Sequence, residues 1–238
     1  MFKELIDALR QRPLLGQMLS EMEEMLKDAV QMYRPIAGVL SGREELTRET
    51  RDSIYETDKR INHLQRKVRK QLVEHLSMAP GSDVPISLVL MSITKDAERL
   101  GDYCKNLLEV AEAMDEPLGR GKHGEELIGL LADIEALFEP IAAATVNSDK
   151  GQAESAVETG RELAGRCGAL IDDLLCDQLS TREAVLLALS ARYLKRMALH
   201  LTNIASSVVM PLHRLDYYDE EGADSKRACE EKDEEVAQ

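Results

Sequence analysis

The chain contains no tryptophan and only 2 phenylalanines. A core without large rings must be filled by Leu, Met, Ala, Ile and Val, as in helix bundles. A basic surplus is missing too: 30 Lys and Arg face 44 Asp and Glu, a net charge of −14. Phosphate backbones select basic surfaces, so no nucleic-acid partner is expected. The missing basic, aromatic face excludes a base-stacking platform. No apolar run approaches the roughly 20 residues needed to span a bilayer, so no direct membrane insertion is expected. Residues Met1 to Arg12 hold no apolar signal-peptide core. The cysteines Cys104, Cys167, Cys176 and Cys229 are scattered, without a CxxC pair. They read as buried, reduced thiols of a cytoplasmic protein.

Catalytic signatures are absent as well. The histidines His63, His75, His123, His200 and His213 form no HxxH or HExxH arrangement. They are expected at surfaces or helix ends. No serine has a GxSxG context, so nucleophilic catalysis has no support and no enzyme is expected.

What is present is helical periodicity. Residues 1–13 form an amphipathic lead-in ended by Pro13. Leu15, Met18, Met22, Met25, Ala29, Met32 and Ile36 then recur in steps of three and four, predicting a helix over about 14–40. Pro35 should kink or end it, and Ser41-Gly42 reads as a turn. A second helix, about 44–76, buries Ile54, Ile61, Leu64, Val68, Leu72 and Leu76. Its basic cluster, Arg60, Arg66, Lys67, Arg69 and Lys70, reads as a solvated face paired with acids. After Pro80-Gly81-Ser82, with Asp83 as the N-cap candidate, a third helix runs to about Met114. Its core residues are Ile93, Ala97, Leu100, Cys104, Leu107, Ala111 and Met114. Residues 116–124 are glycine-rich and read as a linker, because the Walker spacing and a preceding strand are both absent.

The second half echoes the first. Tyr33-Arg34-Pro35-Ile36-Ala37 returns as Phe138-Glu139-Pro140-Ile141-Ala142. Tyr55 to Ile61 returns as Val157 to Leu163, and Asn106-Leu107 as Asn203-Ile204. The common order implies a duplicated three-helix unit, with second-unit helices near 124–147, 149–178 and 181–210. The expectation is an all-α fold of two tandem three-helix bundles: residues 14–115, then 125–215. Residues 216–238 form an acidic tail expected to be disordered.

One polar stripe stands out. Glu98, Asp102 and Asn106 fall four residues apart, on one face of the third helix. Asp58 and Asn62, also four apart, flank the buried side of the second. Antiparallel packing brings the two sets face to face. Clustered oxygens repel unless a cation sits among them, and hard oxygen donors suit Mg, Ca, Mn or ferric iron. The same pattern also describes carboxylates paired with Lys or Arg at a wet surface. Both readings stand on spacing alone.

Glu98-Arg99-Leu100-Gly101-Asp102 followed by Asn106, with Asp58-Lys59-Arg60-Ile61-Asn62, resembles the helix motifs of the PhoU family of phosphate-transport regulators. The resemblance spans about Leu14 to Leu215 and agrees with the duplication. It implies a cytoplasmic, non-catalytic regulator of phosphate uptake and phosphate-starvation signalling. Its implied partners are the phosphate transporter and a sensor histidine kinase. It also implies a multinuclear iron or zinc cluster, or another divalent cation, as in some members, with Asp58, Asn62, Glu98 and Asp102 as the metal face. Asn62 departs from the acidic pattern and lowers the ligand charge. In the second unit the equivalents are Gly160, Ala164, Lys195 and Leu199, so metal is expected in the first unit only. The degenerate face then suits packing or a homodimer contact. The alternatives are an accessory subunit of another phosphate or ion permease, and a ligand-free helical scaffold.

Overall fold

The computed structural model describes residues 13–78, 81 and 83–210. The lead-in before Pro13, the acidic tail, Cys229 and His213 lie outside them. Six helices follow in order: α1 Pro13–Leu40, α2 Arg48–Met78, α3 Val84–Ala113, α4 Gly121–Asn147, α5 Lys150–Cys176 and α6 Thr181–Val209. No strand occurs among the described residues. The fold is all-α, and the helix order matches the duplication.

The periodic apolar residues are the core. Leu15, Met18, Met22, Met25, Ala29, Met32 and Ile36 of α1 are all buried, as are Ile54, Ile61, Val68 and Leu72 of α2. α1, α2 and α3 pack on one another, and α4, α5 and α6 do the same. The two bundles meet along α1 with α4 and α3 with α6. A single hydrophobic cluster runs through both.

Four of the scarce aromatics sit at this junction. The buried Tyr33 of α1 donates its hydroxyl to the Leu131 carbonyl of α4 at 2.8 Å, and its ring lies 5.9 Å from Phe138. Tyr103 of α3 lies 6.2 Å from Tyr193 of α6. Large rings with a polar handle suit such places, where broad contact and one directed bond fix a register.

Helix ends follow local chemistry. Gly42 takes φ +76° to turn the chain after α1, and its amide donates to Val39 O at 3.0 Å. Asp149 and Ser180 cap α5 and α6 through the amides of Gln152 and Glu183, at 3.1 and 3.2 Å. Asp83 holds the N-cap position of α3 without a side-chain cap bond. Its carboxylate instead lies 2.9 Å from His75 Nε2, tying the end of α2 to the start of α3.

α1 ends at Leu40, as the spacing predicts, with Pro35 inside it, and Pro140 lies inside α4 in the same way. The burial of Ile36, Ala37, Val39 and Leu40 beyond the proline holds the last turn in helical form. α4 begins at Gly121, so residues 121–124 of the expected linker are its first turn. There His123, nearly buried, lies 2.6 Å from Asp177 Oδ2 at the end of α5.

Candidate functional site

α2 and α3 pack antiparallel, and Gly101 sets how close they come. A Cβ there would lie 3.2 Å from Ile61 Cδ1 and 3.6 Å from Asp58 Oδ1. The missing side chain brings α2 against α3 and directs Asp58 at its partner helix. Asp58 is buried, while Asn62, Glu98, Asp102 and Asn106 are half-buried. The residues expected to form a polar face therefore do share one seam.

Lys105, which sequence reasoning passed over, lies at the centre of it. Its ammonium donates to Asp58 Oδ2 at 3.1 Å and contacts Asp102 Oδ1 at 3.0 Å. Asn62 Nδ2 donates to the same Asp58 oxygen at 3.1 Å. Arg99 holds the other Asp102 oxygen at 3.1 Å. Burial works against the Lys105 charge, but hydrogen bonds to Asp102 and Asp58 outweigh it and raise its pKa. The available signal was the i, i+3 spacing from Asp102.

Glu98 has a different environment. Burial, and after it the Asp102 carboxylate, push its pKa above the ordinary glutamate value, against the pull of Arg99, Arg69 and Lys105. A carboxyl with a raised folded-state pKa contributes most below its unfolded pKa, and that contribution is lost as pH rises through the folded value. We expect Glu98→Gln to gain thermal stability over wild type progressively from mildly acidic to neutral pH. Melting curves across that range check this, and a difference that stays constant with pH would refute it.

An iron or zinc cluster does not fit these residues as placed. The two aspartates converge on an ammonium group, and Asn62 spends its amide on Asp58. Among the described residues no group of three or more His, Cys, Asp or Glu side chains is arranged to hold a metal ion.

The matching seam of the second unit has neither charge. Gly160 stands where Asp58 does, and Thr202, four residues beyond Ala198, stands where Lys105 does four beyond Gly101. A Cβ on Gly160 would fall 2.2 Å from Thr202 Oγ1, whose proton goes to Ala198 O at 2.8 Å. Lys195 and Leu199 occupy the positions of Glu98 and Asp102, and both are half-buried.

A second polar group ties the two units together. Asp96 of α3 lies 2.7 Å from His200 Nδ1 of α6 and accepts from Asn203 Nδ2 at 3.5 Å. The Tyr103 ring stacks on His200 at 5.6 Å. His75 and His123 are at helix ends as expected, whereas His200 is in mid-helix at the junction. The basic cluster of α2 is largely paired: Arg60 with Asp28, Lys67 with Glu21 and Lys70 with Glu74. Cys104 and Cys167 are buried and Cys176 is exposed, against the expectation of burial for all. Burial raises the Cys104 thiol pKa strongly, and pushes that of Cys167 up to about 12.

A cleft of about 710 Å³ lies between α1 and α4 and is lined by Lys27, Arg34, Arg43, Glu135, Phe138 and Ala142 among others. It includes none of the seam residues. Among the described residues no helix is long and apolar enough to cross a membrane.

Residues 15–111, which contain the whole seam, match the family model of the PhoU domain. The fold resembles the crystal structure of PhoU from Pseudomonas aeruginosa, with TM-score 0.64 and 19% identity over 90% of this chain and 99% of that one. It also resembles the phosphate transport system regulatory protein PhoU from Streptococcus pneumoniae, with TM-score 0.66 and 19% identity over 88% of this chain and 95% of that one. No curated protein matches the sequence.

Proposed function

We propose that this chain, whose residues 15–111 match the PhoU domain, is a member of the PhoU family and a regulator of phosphate uptake and phosphate-starvation signalling. In this reading it works in the cytoplasm as a non-catalytic adaptor between a phosphate transporter and a sensor histidine kinase. The observation that carries it is the PhoU-domain match over residues 15–111. The shared fold across nearly the full length of two PhoU structures supports it. The non-catalytic part draws support from the thiols: Cys104 and Cys167 are buried with raised pKa values, the opposite of an activated nucleophile. A surface bearing a net charge of −14 suits protein partners carrying basic patches.

The test is capture of tagged full-length chain from its native host, with identification of bound proteins, together with a gene deletion. The transporter and kinase should both be recovered. The deletion should change expression of a phosphate-starvation reporter in phosphate-replete medium. Recovery of a lone permease without a kinase would favour an accessory subunit. An unaltered reporter with no transporter captured would leave the ligand-free scaffold. Sedimentation of the purified chain decides whether it acts as the expected homodimer.

A further inference from the structure

We propose that the Lys105 ammonium is this chain's built-in counter-ion for Asp58 and Asp102, so that the first unit forms a metal-independent seam closed by its own lysine. The inference concerns the seam's chemistry and stands apart from the adaptor role above.

Three observations carry it. First, Lys105 Nζ lies 3.1 Å from Asp58 Oδ2 and 3.0 Å from Asp102 Oδ1, bonding distance to both carboxylates at once. These are the two acids that a cation between α2 and α3 would have to join. Second, the ammonium is held rather than waving in solvent. Its side chain is 26% exposed, Asp58's is 12%, and Asn62 donates to the same Asp58 oxygen. A partly desolvated charge with two hydrogen-bonded counter-charges is hard to displace, because removing it strands both acids. Third, acid and lysine occur together within the one chain. The first unit has Asp58, Asp102 and Lys105, while the second has Gly160, Leu199 and Thr202 at the matching positions. Where the two aspartates are gone, the lysine between them is gone too, and the second unit's own lysine, Lys195, stands at the Glu98 position instead. A surface lysine with no task at this seam would have no reason to follow them.

The electrostatics give the consequence. Two carboxylates at one site demand a positive charge or a proton. An ammonium meets the demand without the six to eight oxygen donors or the open positions that a hard divalent ion requires. With the lysine removed, the demand returns. Asp58 and Asp102 are then the carboxylates left facing the vacated position, for a cation to join with water completing its shell.

The experiment uses the full chain, purified without chelator, with MnCl2 as the probe and free Mn²⁺ counted by electron paramagnetic resonance. Wild type should show no saturable Mn²⁺ site and carry no stoichiometric iron or zinc by elemental analysis. Its melting temperature should be the same with and without EDTA. Lys105→Thr installs the residue found at the matching position of the second unit, and should acquire one saturable site, at least about tenfold tighter than any wild-type binding. Adding Asp102→Asn to that variant should remove it. Circular dichroism checks folding, and Lys105→Gln serves as a second variant if the threonine fails to fold. Saturable metal on wild type that is lost in Asp102→Asn would overturn the proposal. So would a folded Lys105→Thr or Lys105→Gln that binds Mn²⁺ no better than wild type. Should both variants unfold, the wild-type titration decides alone.

Discussion

Arg60→Ala is expected to destabilise the folded chain by about 1–3 kcal/mol, the range for leaving a buried acceptor without its partner, because Asp28 is buried while the Arg60 side chain is half-exposed. Asp28 of α1 is 1% exposed, facing α2 from inside the bundle. Arg60 reaches it with both ends of its guanidinium: Nε donates to Oδ2 at 2.6 Å, and Nη2 donates to Oδ1. The hydrogen bond to Asp28 is the main cause of the raised Arg60 pKa. A planar fork matches a carboxylate in two places, which a lysine does not reproduce. Truncation leaves a buried carboxylate whose strongest partner is gone. The cost therefore exceeds that of a typical exposed pair, such as Lys59 with Glu56 on the same helix. Urea unfolding followed by circular dichroism measures it. The double variant Asp28→Ala/Arg60→Ala should recover much of the loss, because it removes the stranded charge. A loss below about 1 kcal/mol for Arg60→Ala, the range of exposed pairs, would show that solvent satisfies Asp28 and that the pair adds little.

Gly124→Ala is expected to cost about 1–3 kcal/mol by overpacking. The Cβ it adds would lie 2.2 Å from Leu118 O and 2.7 Å from Gly119 C. Both neighbours are backbone, so no side chain can rotate away. Either the first turn of α4 lifts or the segment before it moves. That segment is anchored, since the Leu118 amide donates to Leu40 O at 3.1 Å and ties the linker to the end of α1. The strain therefore reaches the junction between the two units. Gly165→Ala, in the middle of α5, is the contrasting case. Nothing lies within 4 Å of the Cβ it adds. Removing a flexible residue from a helix interior should there raise stability by about 0.5–1 kcal/mol. Thermal or urea unfolding of both variants gives the comparison. A Gly124→Ala protein as stable as wild type would mean that the linker yields freely.

The sequence by itself determined the helices and their order. The three-four spacing of Leu15 through Ile36, or of Ile93 through Ala111, is a local signal: it states which face of a helix is apolar without reference to any other helix. Glycine and proline breaks separated the elements, and the ordered echoes of Tyr33-Arg34-Pro35, Tyr55–Ile61 and Asn106-Leu107 disclosed the duplication. The same spacing placed Asp58, Asn62, Glu98 and Asp102 on facing edges of α2 and α3. Whether those oxygens meet a metal, water or another side chain is not a local property. It depends on the register of α2 against α3, set by the close approach at Gly101. At that register the flexible stem of Lys105 delivers its charge between Asp58 and Asp102. Tertiary packing holds α1 in helical form beyond Pro35, to the Leu40 end that the spacing predicted, because the apolar residues there are buried. Packing likewise drew residues 121–124 into α4, where His123 reaches Asp177 across the chain. The pairing of Asp96 with His200, 104 residues away, joins the two units through groups whose sequence neighbours give no hint of each other. Periodicity is written along one helix. Partnership between charges is written in the distance between two, and that distance exists only once the core has closed.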